Sequence, residues 1–140
     1  MGASRAVYPG TFDPVTPGHL DVVDRARRLF SHVTVLVSVN GGKEPASAIT
    51  ARAAAVRQAL SAAWTNVTVA AWEGLTVTYC VENNANVIVR GVRNPTDITY
   101  EYELAVMNQE LGITTLQMPT RPSLAAISST VVRSKNEARS

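Results

Sequence analysis

The sequence predicts one α/β domain: a five-stranded parallel sheet with helices on both faces. Three observations carry this expectation. Short apolar, β-branched runs alternate with stretches of helical period; Gly- and Pro-rich loops separate them; and no internal repeat, low-complexity tract or linker divides the 140 residues. Strand–helix alternation calls for crossover connections, which make neighbouring strands parallel and lay the helices on the sheet faces. The length suits one domain, residues 1–140, with a core of its own.

The first strand is the apolar pair Ala6-Val7, followed by the loop 8–19, YPGTFDPVTPGH, and an amphipathic helix over 20–30. In that loop Gly10 and Gly18 let the backbone approach a ligand closely. Pro17 suits an early helical position, where a missing N–H costs nothing. The run 33–39, VTVLVSV, is a buried strand ending at Asn40-Gly41-Gly42. An Ala-rich helix is expected over 49–63, a third strand over 67–72, and a short helix over 75–83 after the break at Glu73-Gly74. Val87-Ile88-Val89 is the fourth strand, ending at Arg90-Gly91. The strongest helical pattern spans 97–111, with Gly112 as its C′ stop. Residues 114–118 form the fifth strand and 128–137 a final helix. Ligands in such folds sit beyond the carboxyl ends of the strands, so loops 10–18, 40–48, 73–75, 90–96 and 119–127 are expected to face one another.

Composition narrows the function classes. The chain is 46% hydrophobic and 17% charged, as a soluble globular domain is, and its net charge is +2. That charge, without a Lys/Arg cluster or an aromatic platform, does not point to nucleic acid. The single cysteine, Cys80, leaves no internal disulfide and no cysteine-based zinc site, and reads as a small core residue. No signal peptide and no apolar run near ~18 residues is present, so a cytoplasmic protein without a membrane span is expected.

Two stretches can carry chemistry. Thr16-Pro17-Gly18-His19 lies at a strand–loop–helix junction, where free N–H groups and the helix dipole suit a phosphate. A cationic or hydrogen-bonding imidazole there would stabilise charge on a transferring phosphoryl group; the alternative is that His19 caps a turn. Ile127-Ser128-Ser129-Thr130-Val131-Val132-Arg133 opens the last helix. Its three hydroxyls can donate to phosphate oxygens, or simply cap the helix. No Ser-His-Asp set, metal-ligand cluster or nucleophilic cysteine is evident.

Together, T-x-G-H near the start and I-S-S-T-x-x-R near the end form the paired signature of the nucleotidyltransferase α/β superfamily, whose fold is Rossmann-like. The chain resembles the bacterial phosphopantetheine adenylyltransferases along nearly its whole length. The matching residues are 8–19, Lys43, Gly74-Leu75, Arg90-Gly91-Val92-Arg93, Thr96-Asp97, Tyr100-Glu101-Tyr102-Glu103, Met107-Asn108 and the ISST stretch. The resemblance implies transfer of AMP from ATP to 4′-phosphopantetheine, with Mg²⁺ held mainly by the nucleotide phosphates. It implies that His19 stabilises the transition state at the α-phosphate and that Gly10, Thr11 and Phe12 line the nucleotide and phosphate site. Thr11 and Lys43 would orient the attacking phosphate, and Arg90 would reach both the acceptor and the nucleotide phosphates. Gly91, Arg93 and Glu101 would contact the nucleotide, and Ser128, Ser129 and Thr130 its β- and γ-phosphates. Leu75, Tyr100, Met107 and Asn108 would form the pantetheine pocket. A homo-oligomer, in this family usually a hexamer, is implied as well.

The chain departs from the family pattern in places. Residues 43–52, KEPASAITAR, keep Lys43 and Arg52 but lack an aromatic and paired glutamates; Thr99 replaces a glutamate; and the aromatic by the nucleobase is missing around Leu124. The chain stops at Ser140, where the family normally continues through another helix. These departures keep two alternatives open: a relative using another NTP, such as CTP, to activate a small phosphate or phosphonate, and a non-catalytic nucleotide-binding protein. Among the remaining residues, Trp64 and Trp72 are expected in packing, and His32, Asp21 and Asp24 at solvent. Asp13 is expected to fix its loop through turn hydrogen bonds.

Overall fold

The computed structural model describes residues 4–38, 46–93 and 105–120. Over these residues the chain runs β1 (Arg5–Gly10), α1 (Pro17–Arg27), β2 (His32–Ser38), α2 (Ala46–Ala59), β3 (Val67–Trp72), α3 (Thr76–Glu82), β4 (Val87–Val92), a helical stretch over 105–110, and β5 (Thr114–Pro119). Every strand pair is parallel, in the order β3-β2-β1-β4-β5, so the expected five-stranded sheet is present. The N-terminal part of the 97–111 helix and the final helix over 128–137 lie outside the described residues.

Period-two alternation along the strands divides the core into two layers. Ala6, Tyr8, Val33, Val35, Val37 and Val89 pack with Val22, Val23 and Ala26 of α1 and Ala53 and Val56 of α2. Val7, Leu36 and Ile88 turn the other way, onto Cys80 of α3, Ala85 and Ile113. Helices thus cover both faces. Cys80 is fully buried, and burial raises its thiol pKa to about 11.

Strand and helix ends differ from expectation for identifiable reasons. β1 continues through Tyr8 and Pro9 to Gly10, each paired with β2, because both flanking side chains are buried. α1 starts at Pro17, as its Thr16 N-cap dictates, and ends at Arg27 rather than residue 30. α2 stops at Ala59 rather than residue 63, and β4 extends past Val89 to Val92 along β5. Gly112 takes φ +79°, the left-handed conformation that a helix stop favours.

Three residues expected at solvent are engaged. Asp21, with 7% of its side chain exposed, pairs with Arg25 at 2.9 Å, and Arg25 also donates to the Pro119 carbonyl at 2.6 Å, tying α1 to the end of β5. Asp24 pairs with Arg27 and Arg28. A ring nitrogen of His32 lies 3.1 Å from the Thr68 hydroxyl, and burial followed by Arg5 lowers the imidazole's pKa. Trp64 packs against the α1/α2 layer, with the Arg27 guanidinium 5.2 Å above its ring.

The sheet opens where the order of strands reverses. β1 pairs with β2 over its full length, yet with β4 only through Ala6↔Val87 and Val7↔Ile88. Pro9 has no N–H to continue that ladder. Its carbonyl accepts instead from Nη1 of Arg90 at 3.2 Å. The β1–β4 ladder thus stops short of the carboxyl end of β1, where Pro9 and Arg90 line a cavity.

Candidate active site

The loop leaving β1 is built around an aromatic stack. Phe12 is buried against Tyr8, with ring centroids 5.4 Å apart, and against His19, at 4.9 Å. Its φ of 48° is rare for an aromatic residue and is held by that burial. The Phe12 ring therefore supports the imidazole from the core side, a role the sequence did not suggest, while neighbouring Thr11 is exposed at the rim. Burial raises the pKa of the Tyr8 phenol and keeps it protonated.

His19 is oriented by a capping box at the start of α1. The Thr16 hydroxyl accepts from the His19 N–H at 3.3 Å, and the Thr16 N–H donates to His19 Nδ1 at 2.9 Å. Of the two readings of His19, the capping one is seen directly: the ring caps the turn through Nδ1. An accepting Nδ1 leaves the hydrogen of the neutral ring on Nε2. Burial, and then Arg93, lowers the imidazole's pKa to about 4, so the ring is neutral at pH 7.

Arg90 and Gly91 share the crevice side of β4 with opposite outlooks. Arg90 faces Pro9 and a cavity of about 500 Å³. Gly91 faces α1, where a Cβ would lie 3.3 Å from Val22. Arg93, just past the strand, is exposed and close enough to bias His19.

The cavity gathers Leu75, Met107 and Asn108, as the sequence grouped them, around Arg90, with Ile88 and Val77 between. Its lining is apolar apart from Arg90, Thr76, Asn108 and Glu110. Asn108 is fixed by its amide donating to the Thr115 hydroxyl at 3.2 Å. Lys43, Tyr100, Glu101, Ser128, Ser129 and Thr130 lie outside the described residues.

Sequence reasoning passed over two contacts at the rim. Arg52 of α2 donates to the Thr11 carbonyl and, at 3.3 Å, to the Ser38 carbonyl, clamping the ends of β1 and β2. Trp72 donates its indole N–H to the Leu75 carbonyl at 2.8 Å. Neither has a local sequence signal, since both reach backbone carbonyls.

Comparison with known proteins identifies the family and the fold. A cytidylyltransferase-like family model matches residues 7–135. The chain is 44% identical over 130 residues to a phosphopantetheine adenylyltransferase of Bifidobacterium longum, covering 91% of this chain and 78% of that one. It is 44% identical over 133 residues to the phosphopantetheine adenylyltransferase of Frankia alni, covering 92% and 82% respectively. Among solved structures, a bifunctional NMN adenylyltransferase/ADP ribose pyrophosphatase from Francisella tularensis shares the fold. Its TM-score is 0.65 at 15% identity, over 96% of this chain and 41% of that one.

Proposed function

The chain belongs to the cytidylyltransferase-like family and, within it, to the phosphopantetheine adenylyltransferases, and on that premise we propose that it transfers AMP from ATP to 4′-phosphopantetheine. The products are dephospho-CoA and pyrophosphate. What supports this reading is a pair of features tied to the carboxyl end of β1: an imidazole whose Nδ1 accepts from the Thr16 N–H in the loop that follows the strand, and an apolar cavity whose Arg90 reaches the Pro9 carbonyl. A phosphate-headed acceptor with a long, uncharged tail matches such a cavity.

In the reaction, an oxygen of the acceptor phosphate attacks the α-phosphorus of ATP. The new P–O bond forms as the bond to the β-phosphate oxygen breaks, and pyrophosphate leaves. The acceptor phosphate is already largely ionised near pH 7, so no general base is needed and the protein's task is positioning and charge stabilisation. His19 donates from Nε2 to an α-phosphoryl oxygen as charge builds there. A neutral donor held by a helix N-terminus loses no proton to the phosphate and needs no reorganisation. Arg90 holds the acceptor phosphate beside Pro9, and Arg93 extends positive charge toward the nucleotide. Thr11, Lys43, Gly10, Gly91, Glu101 and the hydroxyls of Ser128, Ser129 and Thr130 complete the reading in the roles the family resemblance implies.

Mg²⁺ belongs to the same proposal, supplied with the nucleotide and neutralising charge on its phosphates. Among the described residues no group of three His, Cys, Asp or Glu side chains is placed to hold a metal. A cytoplasmic homo-oligomer completes the reading. Exposed Val106 and Leu111, on or beside the helical stretch 105–110, offer apolar surface that an assembly would cover. Sedimentation analysis measures it.

The deciding experiment is pyrophosphate release with a panel of nucleoside triphosphates and acceptors. Release with ATP and 4′-phosphopantetheine is expected. Release only with CTP and a small phosphate or phosphonate would move the protein to a different substrate pair, and silence with every pair would remove the catalytic reading.

A further inference from the structure

The turn between β3 and α3 holds more order than packing requires. β3 ends at Trp72, whose indole N–H donates to the Leu75 carbonyl at 2.8 Å. The same carbonyl accepts from the backbone N–H groups of Thr78, at 3.1 Å, and Tyr79, at 3.2 Å. Leu75 is the N-cap of α3 and, lacking a polar side chain, makes no side-chain capping bond. α3 has only seven residues, too few to hold its own first turn by helix propagation. The indole supplies the anchor from outside.

The backbone is moulded to that ring. A Cβ on Gly74 would lie 3.0 Å from Nε1 of Trp72, and Tyr79 closes on the other side with ring centroids 5.3 Å apart at 73°. The indole's one polar atom is thus aimed at the residue that opens the cavity wall, Leu75-Thr76-Val77. Leu75 is 72% exposed despite its apolar side chain, which leaves it as wall that a bound acceptor would cover.

We propose that Trp72 is a positioning residue for the acceptor: through the Leu75 carbonyl, its indole N–H holds the Leu75-Thr76-Val77 wall where the acceptor's uncharged portion packs. The proposal rests on the acceptor reading of the cavity. A ring that only filled the core layer with Val77 and Tyr79 would be replaced by phenylalanine without effect at the site. A ring acting through its N–H would not.

Trp72→Phe keeps the ring and deletes the donor. The KM for 4′-phosphopantetheine is expected to rise about tenfold, the size of one lost hydrogen bond, while the KM for ATP and kcat stay within about twofold. Gly74→Ala, which presses a methyl against the same nitrogen, is expected to reproduce the shift. In Trp72→Phe the amide hydrogens of Thr78 and Tyr79 should exchange about tenfold faster, with those of β2 unchanged. An unchanged acceptor KM in both variants overturns the proposal, as do equal rises in both KM values or unchanged exchange at Thr78 and Tyr79. A wild-type protein that releases no pyrophosphate with phosphopantetheine overturns the acceptor reading instead, and the exchange rates then decide the indole anchor alone.

Discussion

A histidine can stabilise a transferring phosphoryl group as a cation or as a neutral donor, and the two need different surroundings. His19 sits on Phe12, donates its backbone N–H to Thr16, and accepts at Nδ1, an environment that disfavours a second ring proton. Its pKa of about 4 lies below the ordinary 6.5 through burial first and Arg93 second. Proton NMR of the ligand-free protein should therefore find one of the two imidazoles titrating near pH 4; a midpoint near 6.5 for His19 would show that burial does not shift it, and one well above the working pH would contradict the neutral-donor mechanism. The same shift bears on folding. Between pH 6.5 and about 4 the unfolded chain binds a proton at this site that the folded chain does not, so His19 makes stability fall as pH drops through that window. For catalysis, removing one preorganised donor costs about 3–4 kcal/mol of transition-state stabilisation. His19→Ala is expected to cut turnover at least ~100-fold with a modest change in nucleotide affinity, and near-normal turnover would dismiss the role.

The first helix shows how one element serves both stability and chemistry. Thr16 is buried, and its hydroxyl caps α1 while its N–H sets the imidazole. Thr16→Ala loses the hydroxyl but keeps the N–H. It should cost about 1 kcal/mol in urea unfolding while reducing kcat far less than His19→Ala, and Thr16→Ser should recover most of the stability. A Thr16→Ala variant as inactive as His19→Ala would mean that the hydroxyl, not the backbone donor, positions the ring. The helix was legible from its amphipathic pattern over 20–30, but its start at Pro17 was not. Thr16-Pro17-Gly18 reads locally as loop, and the Thr16 cap is seen only in the fold. Nor was the extension of β1 legible, since Tyr8-Pro9-Gly10 reads locally as a turn. Its strand conformation comes from pairing with Pro9↔Leu36 and Gly10↔Val37 on β2.

Across the whole molecule, the sheet separates two core layers, and Cys80 reports on one of them. The thiol is fully buried beside Val7, Leu36 and Ile88, and its pKa of about 11 leaves almost no thiolate at neutral pH. A thiol reagent should leave Cys80 unmodified in the folded protein and label it only as fast as the fold opens. Fast labelling under native conditions would show that α3 opens locally. Leu36→Ala, in the same layer, should cost about 2–5 kcal/mol and accelerate labelling in parallel.

Much of this protein is written in local pattern: five strands, the helices between them, the T-x-G-H motif, the Gly112 stop, and the grouping of Leu75, Met107 and Asn108. These follow from side-chain periodicity, turn chemistry and family motifs, all of which act over a few residues or are read directly from them. What only the tertiary structure decided are contacts between distant residues. Arg90 meets the Pro9 carbonyl across 81 positions beside the β1–β4 seam, and Arg25, paired with Asp21, reaches the Pro119 carbonyl at the end of β5. The tautomer of His19 is set by the Thr16 N–H at Nδ1, while Phe12 packs against the ring. Sequence periodicity carries no record of such choices, because backbone carbonyls and N–H groups are the same at every position and only the fold selects which of them a side chain meets.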